Sequence, residues 1–315
     1  MSVPVHIPVL PREVLATLAP KPGETYADGT AGLGGHAKAI ADAMKAAGTP
    51  GTIVLNDVDP KNLAYAREFV QKSCEGTKVV SVQGNFAELP HTLRGMGISA
   101  DMLLADLGFS SNQLEDASRG MSFMRDGALD MRLDPTLPIN ASELVNTLSE
   151  DELARILLEF GEERGARRIA RKLVESRAQN PIVSSGQLAD LVRGALGGGH
   201  GPIDPATKTF QALRIAVNDE LGSLEGLLGL IEQAAGEIQH AKPTWLARGA
   251  RVAIISFHSL EDRLVKHAFA RMVKSGVAKE ITNGPVVASE NELASNPRAR
   301  SAKLRVMQIG LVGDK

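Results

Sequence analysis

The chain has 315 residues, 43% of them hydrophobic, which exceeds the usual single-domain size and supplies enough apolar material for a large core, so wholesale disorder is excluded. Lys and Arg number 35 against 37 Asp and Glu, a net charge of -2, so any contact with nucleic acid has to come from local basic patches. A single cysteine, Cys74, excludes a disulfide framework; with no signal-peptide pattern near Met1–Leu10 and no apolar run approaching the roughly 20 residues of a membrane span, a soluble cytoplasmic protein is expected.

In chain order, the first part alternates short apolar runs with helical stretches, the pattern of a mostly parallel α/β sheet. Thr25-Tyr-Ala-Asp28 reads as a strand that ends in a glycine-rich loop, and Gly35 to Ala47 as the helix after it. Thr52-Ile-Val-Leu55 is a second strand closing on Asp57, and Pro60 to Lys72 a helix with proline in its first turn. Val79-Val-Ser-Val82 and Met102-Leu-Leu-Ala105 are the third and fourth strands, the fourth closing on Asp106.

From 138 to 206 the spacing is helical, with no good strand. Ser149 and Glu152 predict a capping box opening a helix that puts Leu153, Ile156, Leu157 and Phe160 on one face. Ala166 to Arg177 and Ser185 to Ala195 are the next helices, and Gly197-Gly-Gly-His-Gly201 is a loop. One long helix follows Thr207, then a strand over Arg251–Phe257 and a late strand over Lys303–Val312. The expected architecture is an α/β domain, 1–137 with 207–315, interrupted by an all-helical insertion at 138–206.

Gly32-x-Gly34-x-x-Ala37 follows a strand and opens a helix, where glycines allow close approach of a ligand and the helix start offers free N–H groups. Asp57, twenty residues after Ala37, stands where an acid bonds the ribose of an adenosine cofactor. Alone, this pattern fits NAD as well as S-adenosylmethionine. Asp28 favours the second, because a carboxylate before the loop repels a pyrophosphate and attracts a sulfonium and an ammonium. Asp28, Asp57 and Asp106 form a set of three acids at strand ends, and Phe86 is placed to lie against an adenine ring. Singly, each aspartate reads as a loop cap and Phe86 as core; the set reads as a site.

Longer stretches carry a resemblance. They are HIPVL from His6, DGTAGLGGHA from Asp28, DLGFSSNQLEDASRGMSFMRDGALDMRLDP from Asp106, and GEERGARRIARKLV from Gly161. TKTFQALRIAVNDEL from Thr207, SFHSLEDRLVK from Ser256 and NPRARSAKLR from Asn296 follow. In this order they resemble the bacterial 16S ribosomal RNA cytosine-N4-methyltransferase family over nearly the whole chain. The resemblance implies a Rossmann-like methyltransferase domain with a helical insertion, S-adenosylmethionine as donor, and a cytidine of the decoding region as acceptor, in small-subunit ribosomal RNA or the 30S particle. It also implies cofactor contacts at Gly34, Gly35, His36, Asp57, Phe86, Asp106 and Gln113. Ala37, Phe109 and Leu133 depart from the family's usual serine, smaller apolar residue and methionine, and 276–292 departs most.

A cytosine amine is a poor nucleophile, so the enzyme has to orient it and accept its proton. Asp106 or the backbone near Gly108 is the first candidate for that role, with Phe109 stacking on an extruded base or else packing as core; Asp130 and Asp134 are alternatives. His6, His36 and His258 lack metal-ligand spacing, and no metal is expected. Arg164, Arg167, Arg168, Arg171, Lys172 and Arg177 along one helix, and Arg298, Arg300, Lys303 and Arg305 near the C-terminus, are candidate phosphate contacts or else solvated faces. A methyltransferase acting on DNA or protein, an NAD-dependent dehydrogenase and a non-catalytic RNA-binding assembly factor are the competing readings.

Overall fold

Tyr26 and Ala27, neighbours in the first strand, enter different hydrophobic cores, and this period-two alternation sets the layering of the sheet. The computed structural model describes residues 7–198 and 204–310, so His6, the part of the Gly197–Gly201 loop from 199 on and the last two positions of the expected Lys303–Val312 strand lie outside the described residues. Along the chain run α1 (Pro11–Leu18), β1 (Thr25–Asp28), α2 (Gly35–Ala46), β2 (Thr52–Asp57), α3 (Pro60–Ser73), β3 (Lys78–Gln83), α4 (Leu89–Gly95) and β4 (Ala100–Asp106). Helices α5 (Ser111–Glu115), α6 (Ala141–Thr147), α7 (Glu150–Glu159), α8 (Ala166–Arg177), α9 (Ser185–Leu196), α10 (Ala206–Asn218) and α11 (Glu220–Gln239) follow. The chain closes with β5 (Leu246–Ser256), α12 (Ser259–Lys274), β6 (Ala278–Glu280), α13 (Glu290–Ser295) and β7 (Lys303–Ile309).

The chain forms two compact units, Met1–Gly108 with Leu221–Lys315, and Phe109–Glu220. The first holds a seven-stranded sheet in the order β3-β2-β1-β4-β5-β7-β6. Pairs among β1 to β5 are parallel, and β7 runs antiparallel between β5 and β6. Tyr26, Ile53, Leu55, Met102 and Leu104 pack with apolar residues of α1, α2 and α3; Ala27, Val54, Leu103 and Ala105 pack with those of α4, α11 and α12. The sheet therefore has helices on both faces, the α/β layering expected of the alternating pattern and the Rossmann-like arrangement that the resemblance implies.

The second unit is built around one core drawn from α6 to α10, including Leu144, Leu153, Leu157, Ile169, Leu173 and Leu188. Ser149 and Glu152 form the expected capping box, and Ala166–Arg177 is helical as expected. Its limits are wider than 138–206. Met121, Leu129 and Met131 before that segment, and Phe210 and Leu213 after it, belong to the same core. Asn218 ties the two flanks together: its Nδ2 donates to Met131 O at 2.8 Å and its Oδ1 accepts from Leu133 N–H at 2.7 Å. The stretch before 138 carries little periodicity, so its burial in this core does not show in the spacing. The long helix expected after Thr207 is two helices, because Asp219 takes a left-handed conformation (φ 47°) and ends α10. No helix among the described residues is long and apolar enough to cross a membrane.

Candidate active site

β1 and β4 are hydrogen-bonded neighbours whose onward connections leave to opposite sides of the sheet, β1 toward β2 and β3, β4 toward β5. Such a switch point at the carboxyl ends of parallel strands is where open α/β sheets bind ligands. Asp28 ends β1 and Asp106 ends β4, so both acids stand there. The loop between β1 and α2 is fastened to the ends of two strands, β4 and β2. Gly29 N–H donates to Leu104 O at 2.8 Å, Ala31 N–H to Asn56 O at 2.8 Å, and Gly32 N–H to Asp57 Oδ2 at 2.7 Å. Thr30 Oγ1 accepts from Asp106 N–H at 2.7 Å, and Asn56 Nδ2 donates to Gly29 O and Gly84 O at 2.9 and 3.0 Å.

Gly34 caps α2 with φ 82°, and a Cβ there would come within 3.2 Å of Ala66 on α3. Both the conformation and the close approach require glycine. The helix start leaves the N–H groups of Gly35 and His36 without intrahelical acceptors, and they lie in its first turn. Phe86 is half-buried against the core under α4 and α11 and reaches the loop: a Cβ on Gly29 would lie 3.4 Å from its own.

The three acids differ in their surroundings. Asp28 is 2% exposed; Tyr26 Oη donates to its Oδ2 at 2.9 Å and Thr30 N–H to its Oδ1 at 3.2 Å. Burial pushes its carboxyl up to about 6 against the pull of His36 and these two bonds, with Asp106 adding to the rise. Burial likewise lifts Asp57 to about 7, although its Oδ1 and Oδ2 accept from Asp59 N–H and Gly32 N–H; Asp59 and Asp28 add repulsion. The Tyr26 phenol rises well above its usual range, chiefly through burial and then through Asp28. Asp106 Oδ2 lies 3.7 Å from His36 Nε2, and both that nitrogen and Asp106 Oδ1 are buried without a hydrogen-bond partner.

Buried carboxyls that resist ionisation are stabilised by a cation and destabilised by an anion. The residues therefore fit a positively charged ligand held over a helix start, and the unpartnered His36 Nε2 and Asp106 Oδ1 leave polar groups for it or its co-reactant to meet. A dinucleotide would set two phosphates against the same acids.

Residues 4–310 match the MraW methylase family. The chain belongs to that family. It is 46% identical to ribosomal RNA small subunit methyltransferase H of Geobacter sulfurreducens, covering 96% of this chain and 98% of that one. It is 45% identical to the protein of the same name from Synechocystis, covering 95% and 92%. As a member of the MraW methylase family it is an S-adenosylmethionine-dependent methyltransferase.

Within this methylase, Gly34, Gly35, His36, Asp57, Phe86 and Asp106 all belong to the sheet unit and surround the loop. Gln113 does not: it lies on α5 of the helical unit, buried, where its Oε1 accepts from Ser110 N–H at 2.9 Å in a capping box. Phe109, also in the helical unit, carries the Arg214 guanidinium 4.8 Å from its ring centroid, and Glu220 grips that guanidinium with two bonds of 2.7 and 2.8 Å. Asp130 is no open proton acceptor, because Arg132 Nε and Nη2 bind both its oxygens at 2.8 Å. Asp134 Oδ1 closes a turn onto Thr136.

Sequence reasoning missed Tyr26, Thr30 and Asn56. Tyr26 had a signal, since residues two apart on a strand share a face and Tyr26 precedes Asp28 by two. The other two act through loop geometry that spacing does not reveal. His258 caps α12, with its Nε2 3.2 Å from Glu261 Oε1. The basic clusters are also partly committed. Arg305 is buried in β7 and donates to Asp262 Oδ1 at 2.7 Å, with Lys303 Nζ 3.2 Å from Asp262 Oδ2. Arg177 Nη1 donates to Val145 O at 2.6 Å. Arg164, Arg167, Arg168, Arg171 and Lys172 remain on the exposed side of α8 and the turn before it.

Proposed function

We propose that the chain transfers a methyl group from S-adenosylmethionine to the N4 amine of one cytidine in the decoding region of 16S ribosomal RNA, acting in the cytoplasm on that RNA or the small subunit that carries it. The observation that carries the reading is the set of carboxyls around a glycine loop in a methylase-family chain, Asp28 and Asp57 buried and Asp106 partly so. Relatives named for ribosomal RNA small subunit methylation support the acceptor.

When bound, S-adenosylmethionine supplies an electrophilic methyl on a sulfonium, so the leaving group needs no further activation. The first-turn N–H groups at Gly35 and His36, with the close approach allowed by Gly34, hold the polar end of the cofactor. Asp57 takes the ribose hydroxyls and Phe86 the adenine face. Asp28 offsets the positive charge from beneath the loop. Gln113 is assigned a cofactor contact by the family resemblance alone. Asp106 bonds the acceptor amine and orients its lone pair. The exposed basic side chains of α8 contact phosphates, which supplies affinity without sequence information.

Small ribosomal subunits from a strain lacking this protein, incubated with methyl-labelled S-adenosylmethionine and digested to nucleosides, test the reading. Label in N4-methylcytidine supports it; label elsewhere or nowhere refutes it.

A further inference from the structure

Three acids surround the loop, and Asp106 alone among them has a carboxylate oxygen with no hydrogen-bond partner. Each oxygen of Asp28 accepts one bond, from Tyr26 Oη and Thr30 N–H, and each of Asp57 one, from Gly32 and Asp59 N–H. Asp106 differs. Its backbone is fixed, its N–H donating to Thr30 Oγ1 and the next N–H, of Leu107, to Ile255 O at 3.0 Å, yet its Oδ1 is buried with no partner. His36 Nε2, also buried and unpartnered, faces Asp106 Oδ2 across 3.7 Å. A buried polar atom left unpaired costs about 1–3 kcal/mol, and His36 Nε2 stands just beyond hydrogen-bond range of Asp106 Oδ2, the oxygen beside the unpartnered Oδ1.

We propose that His36 is a positioning residue for Asp106: its Nε2–H closes onto Asp106 Oδ2 and aims Oδ1 at the acceptor amine, whose proton Oδ1 receives. The proposal deepens the cytosine-N4 reading and rests on it. His36 then has separate duties, its backbone N–H toward the cofactor and its imidazole toward Asp106.

The proton balance is simple. The N4 lone pair forms the N–CH3 bond while the S–CH3 pair returns to sulfur, leaving a neutral thioether and a cationic nitrogen that still bears two protons. One N–H bond breaks with its electrons kept by nitrogen, and the proton goes to Asp106 Oδ1. The product amine is neutral, and Asp106, whose side chain is 20% exposed, returns its proton to solvent after release. His36 carries no net proton through the cycle. Its hydrogen bond fixes which oxygen faces the amine, in the way that a second residue orients a general base.

Single-turnover methylation at saturating cofactor and RNA, with calorimetric binding of S-adenosylmethionine, separates this role from the alternatives. His36→Ala is expected to slow the step about 100-fold while cofactor affinity stays within about threefold. His36→Gln, which presents an amide N–H in a similar place, recovers the rate to within about tenfold of wild type. Asp106→Asn is slower still, and adding His36→Ala to it costs nothing more, because residues acting as a unit are not additive. A His36→Ala protein with weakened cofactor binding and an unchanged maximal rate would overturn the proposal, as would losses that multiply in the double variant or no rescue by glutamine. Wild-type protein that methylates no RNA would instead sink the underlying reading before any variant is compared.

Discussion

The backbone N–H of Gly32 donates to Asp57 Oδ2 at 2.7 Å, which hangs the tip of the glycine loop on the acid that ends β2. The other oxygen of Asp57 holds Asp59 N–H at 2.8 Å, at the start of α3. One buried carboxyl thus fixes the glycine loop and the entry to the next helix together, so its charge state and the loop's shape are linked.

That linkage gives a pH dependence with a definite sign. Burial holds Asp28 near 6 and Asp57 near 7, so both carry protons below about pH 6 and lose them on the way to pH 8. A cationic cofactor favours the ionised forms, and binding at low pH has to expel protons. Affinity for S-adenosylmethionine should therefore rise with pH between 5.5 and 8, by up to about tenfold per pH unit for each proton released, and then level off. Calorimetry near pH 6.5 in buffers of different ionisation enthalpy should register net proton release. A flat affinity profile would contradict it.

Asp28→Asn should separate stability from function. The native carboxyl titrates near 6 against an ordinary 3.8, so between about pH 4 and 6 the native state holds a proton that the unfolded chain has lost. Its contribution to stability falls as pH rises through that window, and above it the buried charge costs on the order of 3 kcal/mol. Asparagine keeps one acceptor for Thr30 N–H and offers Nδ2 to Tyr26 Oη. The variant should melt several degrees higher than wild type at pH 8, match it at pH 4, and bind cofactor at least tenfold more weakly. Lower stability at pH 8 would count against the electrostatic account.

Gly34→Ala strains a left-handed position and presses on Ala66 at 3.2 Å. The cost should be about 1–2 kcal/mol, read as a fall in melting temperature of a few degrees, with weaker cofactor binding. Alanine tolerated at full affinity would show that the loop's shape is not what holds the cofactor.

How far the sequence reaches follows from which interactions are local. Thr25–Asp28, Gly35 and the capping box of Ser149 and Glu152 are set by neighbours a few residues apart, and spacing alone locates them. The break at Asp219 is different: an aspartate in a helical run gives no warning that it turns left-handed, while across the break Arg214 pairs with Glu220. The short strand β6 is held by pairing to β7, about thirty residues further on, and its three residues carry no pattern of their own. At the site, Asp28, Asp57 and Asp106 were readable because each closes an apolar run. That Asp106 is the one with an open oxygen depends on hydrogen bonds from Tyr26, Thr30, Gly32 and Asp59, which only the fold assembles. The charge of Arg305 was visible, but its burial beside Asp262 was not.

On α8, Arg167 and Arg171 lie 3.9 and 3.7 Å from Asp151 and Glu150, exposed pairings that are weak and exchange readily for phosphate. Arg167→Glu with Arg171→Glu should weaken RNA binding and lower the steepness of its salt dependence by roughly 1.5 in the log–log slope, leaving cofactor affinity unchanged. An unaltered slope would place the RNA elsewhere.

Methyl transfer to cytosine N4 in small-subunit ribosomal RNA is tested most directly by the identity of the product. Small subunits and naked 16S RNA from cells lacking the protein should, after incubation with it and labelled S-adenosylmethionine, yield one labelled nucleoside, N4-methylcytidine, from one position in the decoding region. Label in another nucleoside, or none in either substrate while the protein binds cofactor, would contradict the account.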